Sequence, residues 1–436
     1  MSGAIITPDK QQNAPTNLFF PIIILLIVAA FYFYEFMLQV SPGVMTHDLM
    51  KDFGVTAAGL GMISGFYYYA YTPMQIPAGL LYDRFGPRVL LSISATVCAL
   101  GALGFGLAPN AYLAGIGRFF MGMGSAFAFI GCLVLISRWF PSKYFAFLSG
   151  VIMIMSSLGA LVGEMPLAAD VERHGWRHSM ISLGLIGLGI AVLIWLIVRD
   201  SPAFEKIKQH PKQANEWHRL AQVLRRPQSW WLALYAFCAW SPILIVAGLW
   251  GVPYIAQLYG ISTTKASGFI SIVWISVGIG SPLFGWVSDK IGRRCLPLTV
   301  AAGISLAATL GMLYIPHIPY WLMGVCMFGL GFGGSGQILS FALVKDNNPP
   351  RIVGTAIGFN NTMVVAGGLL FQPLVGLILK FTWEGKLLDN VPVYSQSNYQ
   401  VALAIVPLCA LIGTLVSMFM LQESHCRALH GEQEDF

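Results

Sequence analysis

Charge is what this sequence lacks. Of its 436 residues, 10% are Asp, Glu, Lys or Arg, against 56% that are apolar. An average soluble domain carries about 25% charge, so this chain cannot cover a globule, and an ordinary soluble enzyme and a disordered chain are both excluded. Alternation of polar and apolar residues is missing too. The apolar runs are ~20 residues long, the length of a spanning helix, which excludes a transmembrane β-barrel. The seven cysteines (98, 132, 238, 295, 326, 409 and 426) have no pairing partner on an outer surface and read as free thiols. A phosphate-binding P-loop, a His/Cys metal cluster and a serine-nucleophile elbow are all absent, so an integral-membrane enzyme and direct ATP coupling are not expected, nor is any cofactor or metal. The net charge of +6 is scattered over short loops without interleaved aromatics, which argues against nucleic acid as a partner.

What is present is a series of twelve apolar segments, near residues 18–43, 56–81, 89–108, 111–138, 144–168, 178–198, 229–257, 264–287, 295–315, 319–344, 353–380 and 399–421. This is an all-α, multi-pass membrane protein with the lipid bilayer as its solvent. Residues 1–17 form a polar tail that runs into the first segment without a cleavage site, so that segment is expected to stay as a spanning helix. Alternate inter-helix segments hold eighteen Lys/Arg on one side and six on the other. The excess places both termini in the cytoplasm, with an inner membrane expected if the chain is bacterial and an organellar one otherwise. The polar stretch 199–228 divides an N-terminal unit (18–198) from a C-terminal one (229–421), with 422–436 as a tail, and its Trp217 and Leu220 suggest short helices at the membrane surface.

The two units repeat. Gly79-Leu-Leu-Tyr-Asp83-Arg84-Phe-Gly86-Pro-Arg88 reappears as Gly285-Trp-Val-Ser-Asp289-Lys290-Ile-Gly292-Arg293-Arg294, at an offset of 206 that also superimposes Gly54 on Gly260 and Thr56 on Ser262. Parallel six-helix repeats are a recognised carrier architecture. The G-x-x-x-D-[RK]-x-G-x-R pattern, present twice, resembles the signature of the major facilitator superfamily, and twelve spans extend that resemblance over the whole chain. Arg138-Trp139-Phe140-Pro141, with Ala146 and Gly150, and Gly175-Trp176-Arg177 are similar to the organic-anion and sugar-phosphate branches. The Gly-Pro expected in span 5 of drug exporters is missing from Gly159-Ala-Leu-Val-Gly163-Glu164, and so is the sugar-porter motif after span 6.

The resemblance implies two pseudo-symmetric six-helix bundles that rock about a central site, working as a monomer. It also implies that Asp83 and Asp289, held by Arg84, Arg88, Arg293 and Arg294 beside Gly79 and Gly285, cap helices of the opposite half while the cytoplasmic side is shut, a contact that breaks when that side opens. A fixed surface salt bridge is the alternative.

Two ionisable residues lie well inside a span, Glu35 in the first and Arg118 in the fourth. A charge at the bilayer centre costs ~2.5–3.5 kcal/mol on insertion scales, so each needs a partner or a role. Both lie about 10–12 Å below the outer boundary at 1.5 Å per residue and are within reach of each other. Either they form a permanent ion pair, or Arg118 receives a carboxylate or phosphate and Glu35 takes a proton or a substrate amine. Arg118 with Gly122 and Gly124 also matches an R-x-x-x-G-x-G pattern that the family links to coupling or helix packing.

Glu164 falls ~30 Å up its helix, at the outer interface, either solvated or in an outer gate with Trp250 and Pro253 of span 7. Tyr68, Tyr71, Thr72 and Gln75 make one polar face of span 2; Tyr32 and Gln39 share the Glu35 face; Asn360, Asn361 and Gln372 are the polar group of span 11. These read as cavity lining or as interhelical bonds. The expected function is proton-coupled symport of a small polar anionic or zwitterionic solute, with an exporter or a non-transporting membrane sensor as alternatives.

Overall fold

The computed structural model describes residues 19–140, 145–200, 216–349 and 352–427. The side chains of Gly79, Leu80, Asp83, 145–147 and 216–217 lie outside the described residues, as do Lys143, Arg351 and both extreme tails, so the position expected for Asp83 in the gate is not among those described. Among the described residues, eleven helical stretches are long and apolar enough to cross a membrane. A twelfth, Ala57–Phe85, is a 29-residue helix made more polar by its tyrosines and Gln75. We number these span 1 (Phe19–Phe53), span 2 (Ala57–Phe85), span 3 (Pro87–Gly106), span 4 (Ala111–Trp139), span 5 (Leu148–His174), span 6 (Trp176–Ile197), span 7 (Pro227–Tyr259), span 8 (Thr263–Ile291), span 9 (Cys295–Tyr314), span 10 (Tyr320–Asn347), span 11 (Val353–Thr382) and span 12 (Gln396–Phe419). The face where span 1 begins and span 12 ends is called the terminus face, the opposite one the far face.

The internal repeat reaches the backbone angles. Span 1 ends at Gly54 (φ 61°, ψ 34°) and span 7 at Gly260 (φ 62°, ψ 38°), the same left-handed cap 206 residues apart. The second pair differs: Gly292 keeps that cap, whereas Gly86 has ψ 158°. Pro87 accounts for the difference, because its ring bars the preceding residue from helical ψ. Several spans are broken. Span 1 is interrupted by a 3₁₀ turn at Ser41–Met45, span 4 beyond Ser125, span 5 at Gly163–Glu164, and span 7 by a π turn at Val246–Trp250 that follows Pro242. Span 5 therefore continues to His174 through Asp170, Glu172 and Arg173, past the expected end at residue 168. In the central stretch, Glu216–Leu224 is a helix.

Two long seams join the halves, span 2 with span 11 and span 5 with span 8, and the break of span 1 also packs on that of span 7. The first is tight at the far face. Ala57 N–H donates to Tyr394 Oη (3.0 Å), Ser64 Oγ donates to Gln372 Oε1 (2.7 Å), and a Cβ on Gly61 would lie 2.6 Å from the Gln372 carbonyl. It holds as deep as Gln75, whose Oε1 accepts from Asn361 Nδ2 at 2.9 Å. Past that level Gly354 and Gly358 face open space. The second seam begins at Thr264, whose N–H donates to Glu172 Oε1 (3.1 Å), and continues to Gly278 against Ser157. The same register sets Gly150 opposite Gly285, and a Cβ on either would meet nothing within 4 Å. Among the described residues, both seams are thus in contact at the far face, while a Cβ on any of these four glycines toward the terminus face would meet nothing.

Close approach within a half and across a seam should respond differently to a methyl group. Gly122 of span 4 rests on the backbone carbonyl of Tyr67 within the N-terminal half. Gly122→Ala should lower stability by ~1–3 kcal/mol, the usual cost of overpacking, seen as an earlier melting transition. Gly61→Ala meets backbone only in the closed seam. It should melt like wild type yet raise far-face accessibility to a membrane-impermeant label, and equal melting losses in both variants would contradict this assignment.

Candidate functional site

The site begins with a proline. Pro42 has no N–H, so the Leu38 carbonyl four residues earlier lacks its helical donor. Span 1 consequently exposes main-chain acceptors at the negative end of its first helix, and Arg118 occupies them. Its Nη1 donates to Leu38 O at 2.8 Å and its Nη2 to Gln39 O at 3.3 Å. The guanidinium lies over the Tyr67 ring, 4.8 Å from the centroid, and is fully buried. Its Nε has no hydrogen-bond partner.

Glu35 is also fully buried, and it does not pair with Arg118. Tyr67 stands between them, with its ring under the guanidinium and its hydroxyl donating to Glu35 Oε1 at 3.3 Å; Oε2 has no partner. The expectation of a direct ion pair is therefore replaced by a tyrosine-bridged pair, because the cation is satisfied by carbonyls. Tyr71 stacks on Tyr67 (centroids 5.5 Å apart), and Tyr32 stacks on Phe129 and meets Phe36 edge-on. Gln39 is buried and contributes its carbonyl to Arg118.

The polar face of span 2 points at span 11. The Tyr68 ring lies on Gly368, and Gln75 holds Asn361. Three potential donors along this face, Tyr68 Oη, Thr72 Oγ1 and Gln75 Nε2, are buried without partners. Asn360 turns to its own half, with Nδ2 on Ser340 Oγ at 2.9 Å and Oδ1 unpartnered. Gln372 follows the interhelical alternative: its Nε2 donates to Leu244 O, its Oε1 accepts from Ser64, and its carbonyl accepts from Trp250 Nε1. Trp250 is thereby tied to span 11 within its own half, and Pro253 lies half-buried just beyond it. Glu164 departs from a solvated interfacial carboxylate. It is fully buried at the break in span 5, and neither oxygen has a hydrogen-bond partner.

The described residues of the repeated motif touch only their own half. Arg88 donates from Nε to Trp195 O and from its backbone N–H to Asp200, and Arg84 lies over Phe85. Arg294 bridges Asp289 (2.7 Å) and Asp346 (3.5 Å), and the Arg293 side chain is exposed. Beside them the segment after span 12 docks on the start of span 9. Glu423 accepts backbone N–H bonds from Arg294 (2.8 Å), Cys295 (2.9 Å) and His425 (3.1 Å). Burial pushes this carboxyl up, but the three donors outweigh it and hold the group below the usual glutamate range. A lowered value stabilises docking fully above the ordinary range, about pH 4.3, and the gain is lost as pH falls through the lowered value. Residues 421–427 should therefore stay protected from hydrogen exchange at neutral pH and lose protection in acid or in Glu423→Gln. Unchanged exchange in that variant would refute the docking role.

The fold and the sequence both have known counterparts. A solved bacterial homologue of the human lysosomal transporter Spinster, in an inward-facing and occupied conformation, superimposes with a TM-score of 0.73 at 15% identity over 92% of this chain and 97% of that one. The chain is 26% identical over 388 residues to the probable sulfoacetate transporter SauU of Cupriavidus necator, covering 82% of this chain and 87% of that protein. It is 27% identical over 377 residues to the probable galactarate/D-glucarate transporter GudP of Pseudomonas putida, covering 78% and 81%. The sequence model described as Major Facilitator Superfamily matches residues 24–372, and with the twelve-helix fold in place this multi-pass membrane chain belongs to that superfamily.

Proposed function

We propose that the chain is a secondary active transporter of a small organic anion, working as a monomer by alternating access of two six-helix bundles and coupled to protons in symport. The observation that carries the reading is Arg118. It is a buried cation held by two carbonyls and a ring, with no carboxylate on it and its Nε without a partner. An uncompensated charge in that position favours an anion that brings the missing negative charge. The unpartnered hydroxyl and amide groups of Tyr68, Thr72 and Gln75 suit a substrate that also carries oxygen acceptors. Glu35, one oxygen on Tyr67 and one free, is the proton carrier in this reading. The basic cluster Arg84, Arg88, Arg293 and Arg294 favours the terminus face as the cytoplasmic one. The parted seams then correspond to an inward-open state, in which the Asp289 cap on span 5 is released to Arg294.

Purified protein in proteoliposomes, offered radiolabelled sulfonated acids, aldaric acids and sugar phosphates across an imposed pH gradient, tests the reading. Uptake of one anion class, enhanced by acid outside, is expected. Binding without translocation would mark a sensor, and indifference to every anion would overturn the proposal.

A further inference from the structure

The Glu164 carboxyl is buried with no group bonded to it that would compensate a charge. Span 5 breaks there, and Gly163 beside it rests against Met37 and Val40 of span 1 while the next residue, Met165, lies against Gly268 of span 8. Glu164 is therefore inside the span 5 to span 8 seam, about 15 Å below the helix end at His174 at 1.5 Å per residue. It is fully buried, and neither oxygen accepts a hydrogen bond. The side chain it faces is Trp274, whose indole N–H is likewise unpartnered and whose ring meets Phe36 of span 1 edge-on at 6.1 Å.

The elements packed around the break are spans 1, 4, 6 and 8. Their ionisable groups include Glu35 on span 1, Cys132 and Arg138 on span 4, Arg177 and His178 on span 6 and Lys265 on span 8; span 5 itself adds Asp170, Glu172, Arg173 and His174. None bonds to either Glu164 oxygen. Glu35 is held by Tyr67, Arg177 by Asp52, and Asp170 by His174. An ionised carboxylate without a partner costs several kcal/mol in such surroundings, whereas the acid form removes the charge and supplies a donor.

We propose that Glu164 is a second proton-binding site of the carrier, loaded when the far face shuts and emptied to the far side when it opens. Separation of spans 5 and 8 at the far face brings water to the break, and the carboxyl then ionises. Closing the seam requires the proton back. The site differs from Glu35 in both place and role. Glu35 stands beside the cation of the substrate site, while Glu164 makes far-face closure itself depend on far-side pH. The inference rests on the alternating-access reading, yet its test needs no substrate.

Full-length protein in nanodiscs, with genetically encoded spin labels at the exposed His174 and Lys265, reports the far-face gap by double electron–electron resonance. For one linked proton, the ratio of far-open to far-closed molecules should rise up to tenfold per pH unit on the alkaline side. Glu164→Gln should hold the closed distance at every pH, and Glu164→Asp should keep a titration. Wild type indifferent to pH overturns the proposal, as does Glu164→Gln that titrates like wild type. If the Gln variant does not fold, a folded Asp variant with a pH-independent distance overturns it as well. Failure of anion uptake with an intact titration would instead sink the transport reading alone.

Discussion

Arg118→Lys should weaken binding of the transported anion about 100-fold, roughly 2.8 kcal/mol, while an uncharged amide of the same acid loses almost nothing. Charge is conserved in this variant, so the effect comes from geometry. The guanidinium reaches Leu38 O and Gln39 O with separate nitrogens, spreads over the Tyr67 ring, and still has Nε unused. An ammonium is one strongly hydrated point. If it follows the carbonyls it leaves the ring and presents nothing to a ligand; if it meets the ligand, it gives up its bonds to Leu38 O and Gln39 O. Thermal-shift titrations with the acid and its amide measure the difference, since a ligand stabilises the folded state according to its affinity. Equal losses for both ligands would show that Arg118 only packs helices.

Glu35→Gln should abolish accumulation driven by a pH gradient and leave counterflow of substrate intact. One pH unit supports about a tenfold concentration ratio for one proton per substrate. The variant should fall from that ratio to one, because an amide carries no exchangeable acid proton. Its oxygen still accepts the Tyr67 hydroxyl, so the bridge to Arg118 survives and exchange at equal pH continues. Concentrative uptake by the Gln variant would remove Glu35 from coupling.

The twelve helices, the repeat and the two deep ionisable residues are legible in the sequence because lipid makes charge conspicuous. Depth is less legible. Hydropathy ends where Asp170, Glu172 and Arg173 begin, but backbone hydrogen bonding does not, so the helix runs on to His174 and carries Glu164 inward relative to its end. Tyr67 falls outside the polar face formed by Tyr68, Tyr71, Thr72 and Gln75. Its role comes from Gly122, which lets span 4 settle on the Tyr67 carbonyl and sets Arg118 over the ring. Two signals in the sequence do point to the site: Pro42 four residues past Leu38, which announces an orphaned carbonyl, and Gln372, a polar side chain in an apolar stretch. The Glu172 cap on span 8 leaves no local trace, since it joins residues 92 positions apart.

The level at which the seams part sets the mechanical advantage of the molecule. Span 8 runs from Thr263 to Ile291; its Gly278 still lies against Ser157 of span 5, whereas a Cβ on Gly285 would meet nothing within 4 Å. Gly278 leaves about 22 Å of helix on the far side and about 20 Å on the other at 1.5 Å per residue. A beam pivoted so near its midpoint swings both ends through nearly equal arcs. In the proposed alternating access, a rotation of a given angle would therefore open apertures of matching width to either compartment, and a solute small enough to enter by one door would fit through the other.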